Sequence, residues 1–418
     1  MRVVVLGAGL IGVASAWYLA EDGHDVTVAD RQPGPANETS FANGGQISTS
    51  HAEPWANPGA PMKVLRWLGR ADAPLLWRLR ADPAQWAWGL RFLAECLPGR
   101  ARANTVAILR LALESRALLK ALRPALGLEY DSLSRGILHF YTDEAEFDHA
   151  ISQAALMRES GCDREVKTAA ECLDIEPALG RSTLPIVGGT FTAGDESGDA
   201  RKFTLALAAA CAARGVKFRH GAAVEGLIRK GNAVTGARLA GGERLAADAF
   251  VIALGSWSPL LARPMGIGIP VFPAKGYSAT LPLASLASEG VAPTVSLTDD
   301  GAKLVFSRLG DRLRVAGTAE FAGYDTSLDA VRCEALARRT FALFPGLASL
   351  RPTTEFWAGL RPSTPGNVPI VGRATLSNLW INTGHGTLGW TLACGSGRLL
   401  ADLVGGRAPA IDPAPYSP

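Results

Sequence analysis

Gly7, Gly9 and Gly12 stand in the pattern Gly-x-Gly-x-x-Gly, between an apolar run, Val3-Val4-Val5-Leu6, and a stretch of helical composition, Ile11 to Glu21. That spacing has a chemical use. The first glycine permits a tight turn, the second lets a pyrophosphate approach the backbone, and the third lets helix pack close on strand. The phosphate charge then meets free N–H groups at the helix N-terminus. Asp30 follows the next apolar segment, Val26-Thr27-Val28, where a carboxylate can accept from ribose hydroxyls and disfavours a 2′-phosphate. The order strand, glycine turn, helix, strand, acid raises the motif above a chance cluster of glycines.

A second glycine cluster, Gly384-His385-Gly386-Thr387-Leu388-Gly389-Trp390, precedes a helical segment with Leu392, Leu399, Leu400 and Leu403 on one face. A helix N-terminus stabilises negative charge, such as a flavin pyrimidine ring acquires on reduction; a ligand-free helix-start turn accounts for the same residues. Arg361, in Gly359-Leu360-Arg361-Pro362, lies between a predicted strand and a Pro-bearing loop. Its guanidinium suits a bidentate grip on a carboxylate, and a surface charge is the alternative reading. Tyr277, in Lys275-Gly276-Tyr277, reads by default as a core tyrosine. No Ser/His/Asp set and no paired carboxylates are recognisable, as expected of chemistry without a protein nucleophile. Cys96, Cys162, Cys172, Cys211, Cys333 and Cys394 form no CxxC pair and have no histidine at ligand spacing. Neither a metal site nor a disulfide frame is expected, and the thiols suit a reducing compartment.

The elements that must hold these residues alternate at both ends of the chain. Val216-Lys217-Phe218 and the apolar Ala249 to Leu254 read as strands, the latter suited to the centre of a parallel sheet. Lys202 to Arg214, Thr105 to Leu122 and Val331 to Phe344 read as helices, as do Met62 to Leu97 and most of Glu144 to Glu176. Gly136 to Thr142 reads as a strand, and Lys303 to Val315 as a hairpin turning at Gly310-Asp311. Gln32 to Pro61 is a long Gly/Pro/Asn/Ser-rich loop, and loops of that length in compact domains are usually functional or disordered. The expected architecture is a dinucleotide-binding α/β domain interrupted by a second α+β domain. Val3 to Ala20 is uncharged and could pass for a targeting or membrane segment, but its three glycines and the acid at Asp30 favour a folded core. A net charge of +3 with dispersed Lys and Arg does not point to a nucleic-acid partner. Between residues 62 and 92, Lys63, Arg66, Arg70, Arg78, Arg80 and Arg91 outnumber Asp72 and Asp82 amid Trp and Leu. That makes a basic amphipathic surface for peripheral membrane contact, or core helices with solvated arginines.

These stretches, with Glu38 to Ile47, Asp195 to Asp199, Pro273 to Ser278 and Asn382 to Leu403, resemble the small subunit of bacterial D-amino-acid dehydrogenases in matching order along nearly the whole chain. The wider group is the D-amino-acid oxidase and glycine oxidase flavoprotein superfamily. The resemblance implies an α/β fold: an FAD-binding Rossmann-like domain (1–60, 188–262 and 355–418) with an inserted antiparallel-sheet substrate domain (61–187 and 263–354). It implies non-covalent FAD, with Gly7, Gly9, Gly12 and Asp30 on the adenosine and pyrophosphate side. Thr39, Ser40, Asn43, Gly44 and Gly45 would line the cofactor, and Gly386, Thr387, Leu388 and Gly389 would lie beside the flavin ring. Arg361 would hold the substrate carboxylate and Tyr277 would belong to the pocket. The implied reaction is hydride transfer from the Cα of a D-amino acid to flavin N5, giving a 2-oxo acid and ammonia. Electrons would pass to a quinone-type acceptor, in a protein of the cytoplasm or the inner face of its membrane. Alternatives are an oxygen-using oxidase of glycine, sarcosine or a cyclic imino acid, a pyridine-nucleotide dehydrogenase, or a non-catalytic dinucleotide-binding protein. The chain departs from the family at Ser50-His51, at Ala302 and at Thr364-Pro365-Gly366-Asn367, which bears on side-chain preference.

Overall fold

The computed structural model describes residues 1–67, 69–284 and 290–418. A six-stranded sheet runs in the order Ile370–Arg373, Leu379–Thr383, Ala249–Ile252, Arg2–Leu6, Asp25–Ala29, Lys217–Arg219. All neighbours are parallel except the outer pair, Ile370–Arg373 with Leu379–Thr383. Because strand residues alternate between faces, Val3 and Val5 point to one side and Val4 and Leu6 to the other. The first pair packs under the helices Leu10–Glu21, Ala200–Ala213 and Gly389–Val404. The second pair packs with Phe250 and Ile252 against a small antiparallel sheet that begins at Val224–Lys230. Burial on both faces explains why these strands read as continuous apolar runs.

The second large sheet has nine strands. Its order is Glu355–Ser363, Phe272–Pro282, Arg312–Phe321, Leu304–Leu309, Ser296–Asp299, Ile137–Tyr141, Gly188–Thr192, Arg164–Thr168, with Leu75–Trp77 added beside Arg312–Phe321. One face packs on the helix Ala330–Leu343 through Leu281, Leu297, Phe306 and Val315. The other presents a cross-strand row, Ser278, Ala316, Val305, Thr298 and His139, paired one to the next.

This topology moves several boundaries. Gly188–Thr192 and Glu355–Ser363 hydrogen-bond inside the nine-stranded sheet, so neither belongs to the parallel-sheet domain, contrary to the expected segments 188–262 and 355–418. Arg361 accordingly lies within a strand rather than beyond one. Met62 to Leu97 is not one helical run: helices Ala60–Trp67 and Pro83–Glu95 flank the strand Leu75–Trp77, and Leu68 lies outside the described residues. The strand Arg164–Thr168 likewise interrupts Glu144 to Glu176. Both strands are short and pair at the periphery, where alternation over three to five residues is too brief to outweigh helical composition nearby. The segment 263–354 contains Ser285 to Glu289, which also lie outside the described residues. The opening residues form strand and helix, and among the described residues no helix is long and apolar enough to cross a membrane.

Candidate active site

A cavity of about 2070 Å³ lies between the two large sheets. Pockets for small ligands run to roughly 1,000 Å³, so this one has room for a dinucleotide and a substrate together. Its deep end is the glycine turn. Gly7 adopts φ +111°, and a Cβ on Gly12 would lie 1.9 Å from the Gly7 carbonyl oxygen, so only glycine lets the helix start this close to the strand. Gly12 therefore stands behind the cavity wall, while Gly7 and Gly9 line it. The Asp30 carboxylate lines it too, accepting from Ala8 N at 2.6 Å and Gln32 N at 2.7 Å. Burial pushes its pKa upward against those two bonds.

The loop after Asp30 closes over this end. Ser40 Oγ accepts from Leu10 N at 3.1 Å, and Thr39 Oγ1 donates to the Leu360 carbonyl at 2.8 Å, tying the loop to the residue before Arg361. Asn43 and Gly44 line the cavity. Gly45 does not; its N–H donates to Asn43 Oδ1 at 3.0 Å, and it packs behind the wall against Ser307 and Leu309. At the far wall, Gly386, Thr387, Leu388 and Gly389 line the cavity at the uncapped start of the helix Gly389–Val404.

Among the described residues, four that line the cavity carry buried polar atoms with no hydrogen-bond partner: both ring nitrogens of His385, Asn382 Oδ1, Ser278 Oγ and Thr318 Oγ1. Each such group costs about 1–3 kcal/mol unless something bonds it. An adenine dinucleotide with a hydrogen-bonding ring system fits these residues. Burial alone drives the His385 pKa down to about 3, so the ring is neutral and offers one donor and one acceptor.

Arg361 lies over Gly276, where any Cβ would come within 2.3 Å of the guanidinium carbon. Its Nη1 and Nη2 donate to the carbonyls of Thr318 (2.5 Å) and Gly317 (3.2 Å). The strand pairing slips at this point, and Thr318 takes φ +49°. A β-branched residue with that φ is strained, and here the strain accompanies two carbonyls aimed at one guanidinium. No carboxylate pairs with Arg361 among the described residues. Burial, reinforced by the charge of Arg332, lowers its pKa to about 10, so it is cationic at neutral pH and faces the cavity without a counter-ion.

Tyr277 behaves differently from a free pocket hydroxyl. It borders the cavity, but its OH donates to Glu320 Oε2 at 2.6 Å. Glu320 also pairs with Arg78 and lies 3.4 Å from Lys275 Nζ. Burial and the Glu320 bond both push the phenol pKa up.

Residues far apart in sequence complete the wall. His139 Nδ1 lies 3.0 Å from Asp300 Oδ2, Tyr141 OH donates to the same oxygen at 2.9 Å, and Lys303 Nζ lies 3.2 Å from Asp300 Oδ1. Burial opposes ionisation of Asp300, but Lys303 and His139 outweigh it and hold the carboxyl well below its usual range. The His51 ring lies tilted beside that of His139, with centroids 5.4 Å apart. Asp195, wholly buried, accepts from Thr49 N, Thr49 Oγ1, Ser50 N, Ser50 Oγ and Ser48 Oγ, pinning the turn that carries His51. His51, His139 and Asp300 bring ligand atoms within 4.8 Å of one another, a grouping that their spacing in the sequence hid. Lys303 and the Arg164 guanidinium, bonded to Tyr141 OH and the Ser50 carbonyl, set two fixed cations beside them, which works against a divalent ion. Of the departures noted in the sequence, Ser50 and His51 line the cavity; Ala302 packs toward the sheet core, and Asn367 accepts from Trp55 N at 3.1 Å.

A parallel sheet offering a glycine turn to a dinucleotide, opposed by a second sheet offering a buried arginine, defines a flavin oxidoreductase, and the chain belongs to the family of FAD dependent oxidoreductases, whose family model matches residues 2–403. It is 61% identical over 413 residues to the D-amino acid dehydrogenase of Dechloromonas aromatica (strain RCB), with 98% of each chain covered. It is 56% identical over 412 residues to the D-amino acid dehydrogenase of Paramagnetospirillum magneticum, covering 98% of this chain and 96% of that one. Among solved structures, glycine oxidase from Geobacillus kaustophilus superposes with a TM-score of 0.77 at 23% identity, covering 100% of this chain and 98% of that one. Iminodiacetate oxidase from Chelativorans sp. BNC1 gives 0.75 at 22%, covering 100% and 99%. At these identities the two superpositions speak for the fold.

Proposed function

We propose that this protein is an FAD-dependent D-amino acid dehydrogenase that oxidises the Cα–N bond of a D-amino acid to an imine, which water hydrolyses to a 2-oxo acid and ammonia. The observation that carries the reading is the Arg361 guanidinium, cationic and without a counter-ion among the described residues, in a cavity that also contains the glycine turn. Its relatives of 61% and 56% identity bear that activity's name. When bound, FAD supplies a hydride acceptor at flavin N5. The protein's part is orientation and charge. Gly7, Gly9 and the first N–H groups of the helix Leu10–Glu21 hold the pyrophosphate, and Asp30 takes the ribose hydroxyls. Thr39, Ser40, Asn43 and Gly44 cover the cofactor, with Gly12 and Gly45 shaping the wall from behind. Gly386 to Gly389 and the helix they open stabilise negative charge on the ring system. Arg361 fixes the substrate carboxylate, and Tyr277, held by Glu320, stiffens the strand under it. In this reading FAD is held non-covalently.

The holoenzyme, mixed anaerobically with matched D- and L-amino acids, is expected to lose its flavin absorbance with D-forms alone. A yellow protein that no D-amino acid bleaches would sink the assignment and direct attention to glycine, sarcosine and cyclic imino acids. Dye or quinone reduction outpacing oxygen consumption is expected; the reverse outcome makes the protein an oxidase.

A quinone acceptor requires access from a membrane, and residues 62–92 support peripheral docking. Trp88 and Phe92 turn inward and stack, while Leu65 (60% exposed), Leu79 (66%) and Leu90 (70%) turn outward among Lys63, Arg66 and Arg80. All three leucines also border the cavity mouth. Six buried cysteines, all unpaired, support a reducing compartment, and hence the inner face of the membrane. The protein is expected to float with vesicles containing anionic phosphatidylglycerol. Leu65→Ser with Leu90→Ser should lower that partition about 100-fold, since each buried leucine contributes about 1.5–3 kcal/mol. Unchanged flotation of the double variant would rule this surface out.

A further inference from the structure

Two positions along from the first row, the nine-stranded sheet and the turn joining Ser296–Asp299 to Leu304–Leu309 show the cavity a second row of residues. From one edge it reads Gly276 beneath the Arg361 guanidinium, then Thr318, Lys303, Asp300 and Tyr141. The guanidinium is bonded to carbonyls of Arg312–Phe321, and that strand is two pairings from Ser296–Asp299 and three from Ile137–Tyr141. At about 4.8 Å per pairing, the two ends of the row stand roughly 10–14 Å apart. A substrate gripped by its carboxylate at Arg361 spans that gap when its side chain ends about 6 Å from the carboxylate. A hydrogen bond of about 2.9 Å at each end then gives roughly 12 Å.

What waits at the distal end is His51. Its neighbours are already engaged: Asp300 accepts from Tyr141 and pairs with Lys303, and His139 lies against Asp300 and against Ser50 Oγ at 3.2 Å. The Asp300 and Lys303 charges cancel as a pair. His51 itself has no protein hydrogen-bond partner among the described residues, borders the cavity, and is held in place by the Asp195 bonds to its own turn. Burial pulls its pKa down to about 4. A neutral imidazole presents one N–H and one bare nitrogen, which complements a carboxamide, itself one carbonyl and one amino group, better than it does a methyl group or a second charge.

We infer that His51 is a specificity-determining residue that selects D-amino acids with a neutral, hydrogen-bonding side chain of about glutamine length. The inference rests on Arg361 being the carboxylate anchor of the proposed dehydrogenase.

The test compares anaerobic flavin reduction of the holoenzyme by D-glutamine and by D-norleucine, which has similar reach and no polar end, each relative to D-alanine. The unaltered enzyme is expected to prefer D-glutamine at least tenfold, as follows when a site built to bond a polar group meets an analogue lacking it. His51→Leu should reverse the preference, and His51→Gln, which keeps a donor and an acceptor, should restore it. Equal or better reduction by D-norleucine in the unaltered enzyme would overturn the inference without touching the functional reading. So would a His51→Leu variant that binds FAD and keeps the original ratio. Failure of every D-amino acid, D-alanine included, would overturn the functional reading and this inference with it.

Discussion

Arg361→Ala is expected to lower kcat/KM for D-amino acids about 10³-fold while leaving FAD content and thermal stability close to those of the parent. The two halves of that expectation come from one fact. Among the described residues the guanidinium has two backbone carbonyls and no carboxylate, so its charge is left for a ligand. Removing one partner of a desolvated, hydrogen-bonded charge pair costs about 2–5 kcal/mol, and each 1.36 kcal/mol is about tenfold in rate. The protein meanwhile gives up two hydrogen bonds and sheds an uncompensated buried charge. These oppose each other, and the net change in stability is about 1 kcal/mol or less. Arg361→Lys should recover little, because a point charge on a flexible stem cannot bridge both carbonyls and a carboxylate at once. Single-turnover flavin reduction, with thermal unfolding alongside, checks both halves. Parental kcat/KM in the alanine variant would remove Arg361 from the site.

Gly12→Ala should do the opposite, costing the fold first. Its methyl would sit 1.9 Å from the Gly7 carbonyl oxygen, inside any allowed contact, so the helix Leu10–Glu21 must move off its strand. Overpacking of this kind costs about 1–3 kcal/mol, and the shift also spreads the turn that receives the pyrophosphate. The variant is expected to purify colourless with a lowered Tm. Gly9→Ala makes the contrast, because its methyl meets only Ser40 Oγ, at 3.8 Å. It should fold normally yet bind FAD about tenfold or more weakly, since the methyl occupies the approach to the backbone. Fluorescence titration of deflavinated protein separates the two outcomes. Equal FAD affinity in Gly9→Ala and the parent would place the pyrophosphate elsewhere.

The contrast between these two variants also marks what the sequence could convey. The glycine turn and Asp30 were legible because they are contiguous and their constraints are local: a strand, a turn, a helix start. Arg361 was legible only through resemblance, since nothing in Gly359-Leu360-Arg361-Pro362 reveals that Gly276 lies under the guanidinium or that a slipped strand register turns the Gly317 and Thr318 carbonyls toward it. His139, Asp300 and Lys303 left no signal at all. Their proximity is a product of sheet order, in which Ile137–Tyr141 pairs in parallel with a strand nearly 160 residues later. The domain borders slipped for a related reason. Gly188–Thr192 and Glu355–Ser363 lie next in sequence to one domain and are claimed by the other through hydrogen bonds that no local pattern encodes.

The unpartnered atoms of His385, Asn382, Ser278 and Thr318 have a consequence for the life of the protein before it ever meets a substrate. A wall with that many unmet bonds is an unfinished interior, completed only by the ligand that belongs there. Ligand binding of this kind stabilises the folded state by mass action, so the share of newly made chains that survive proteolysis should track flavin supply. A cell short of riboflavin would then lose this enzyme by degradation and not merely by idling, and its abundance would report on the vitamin.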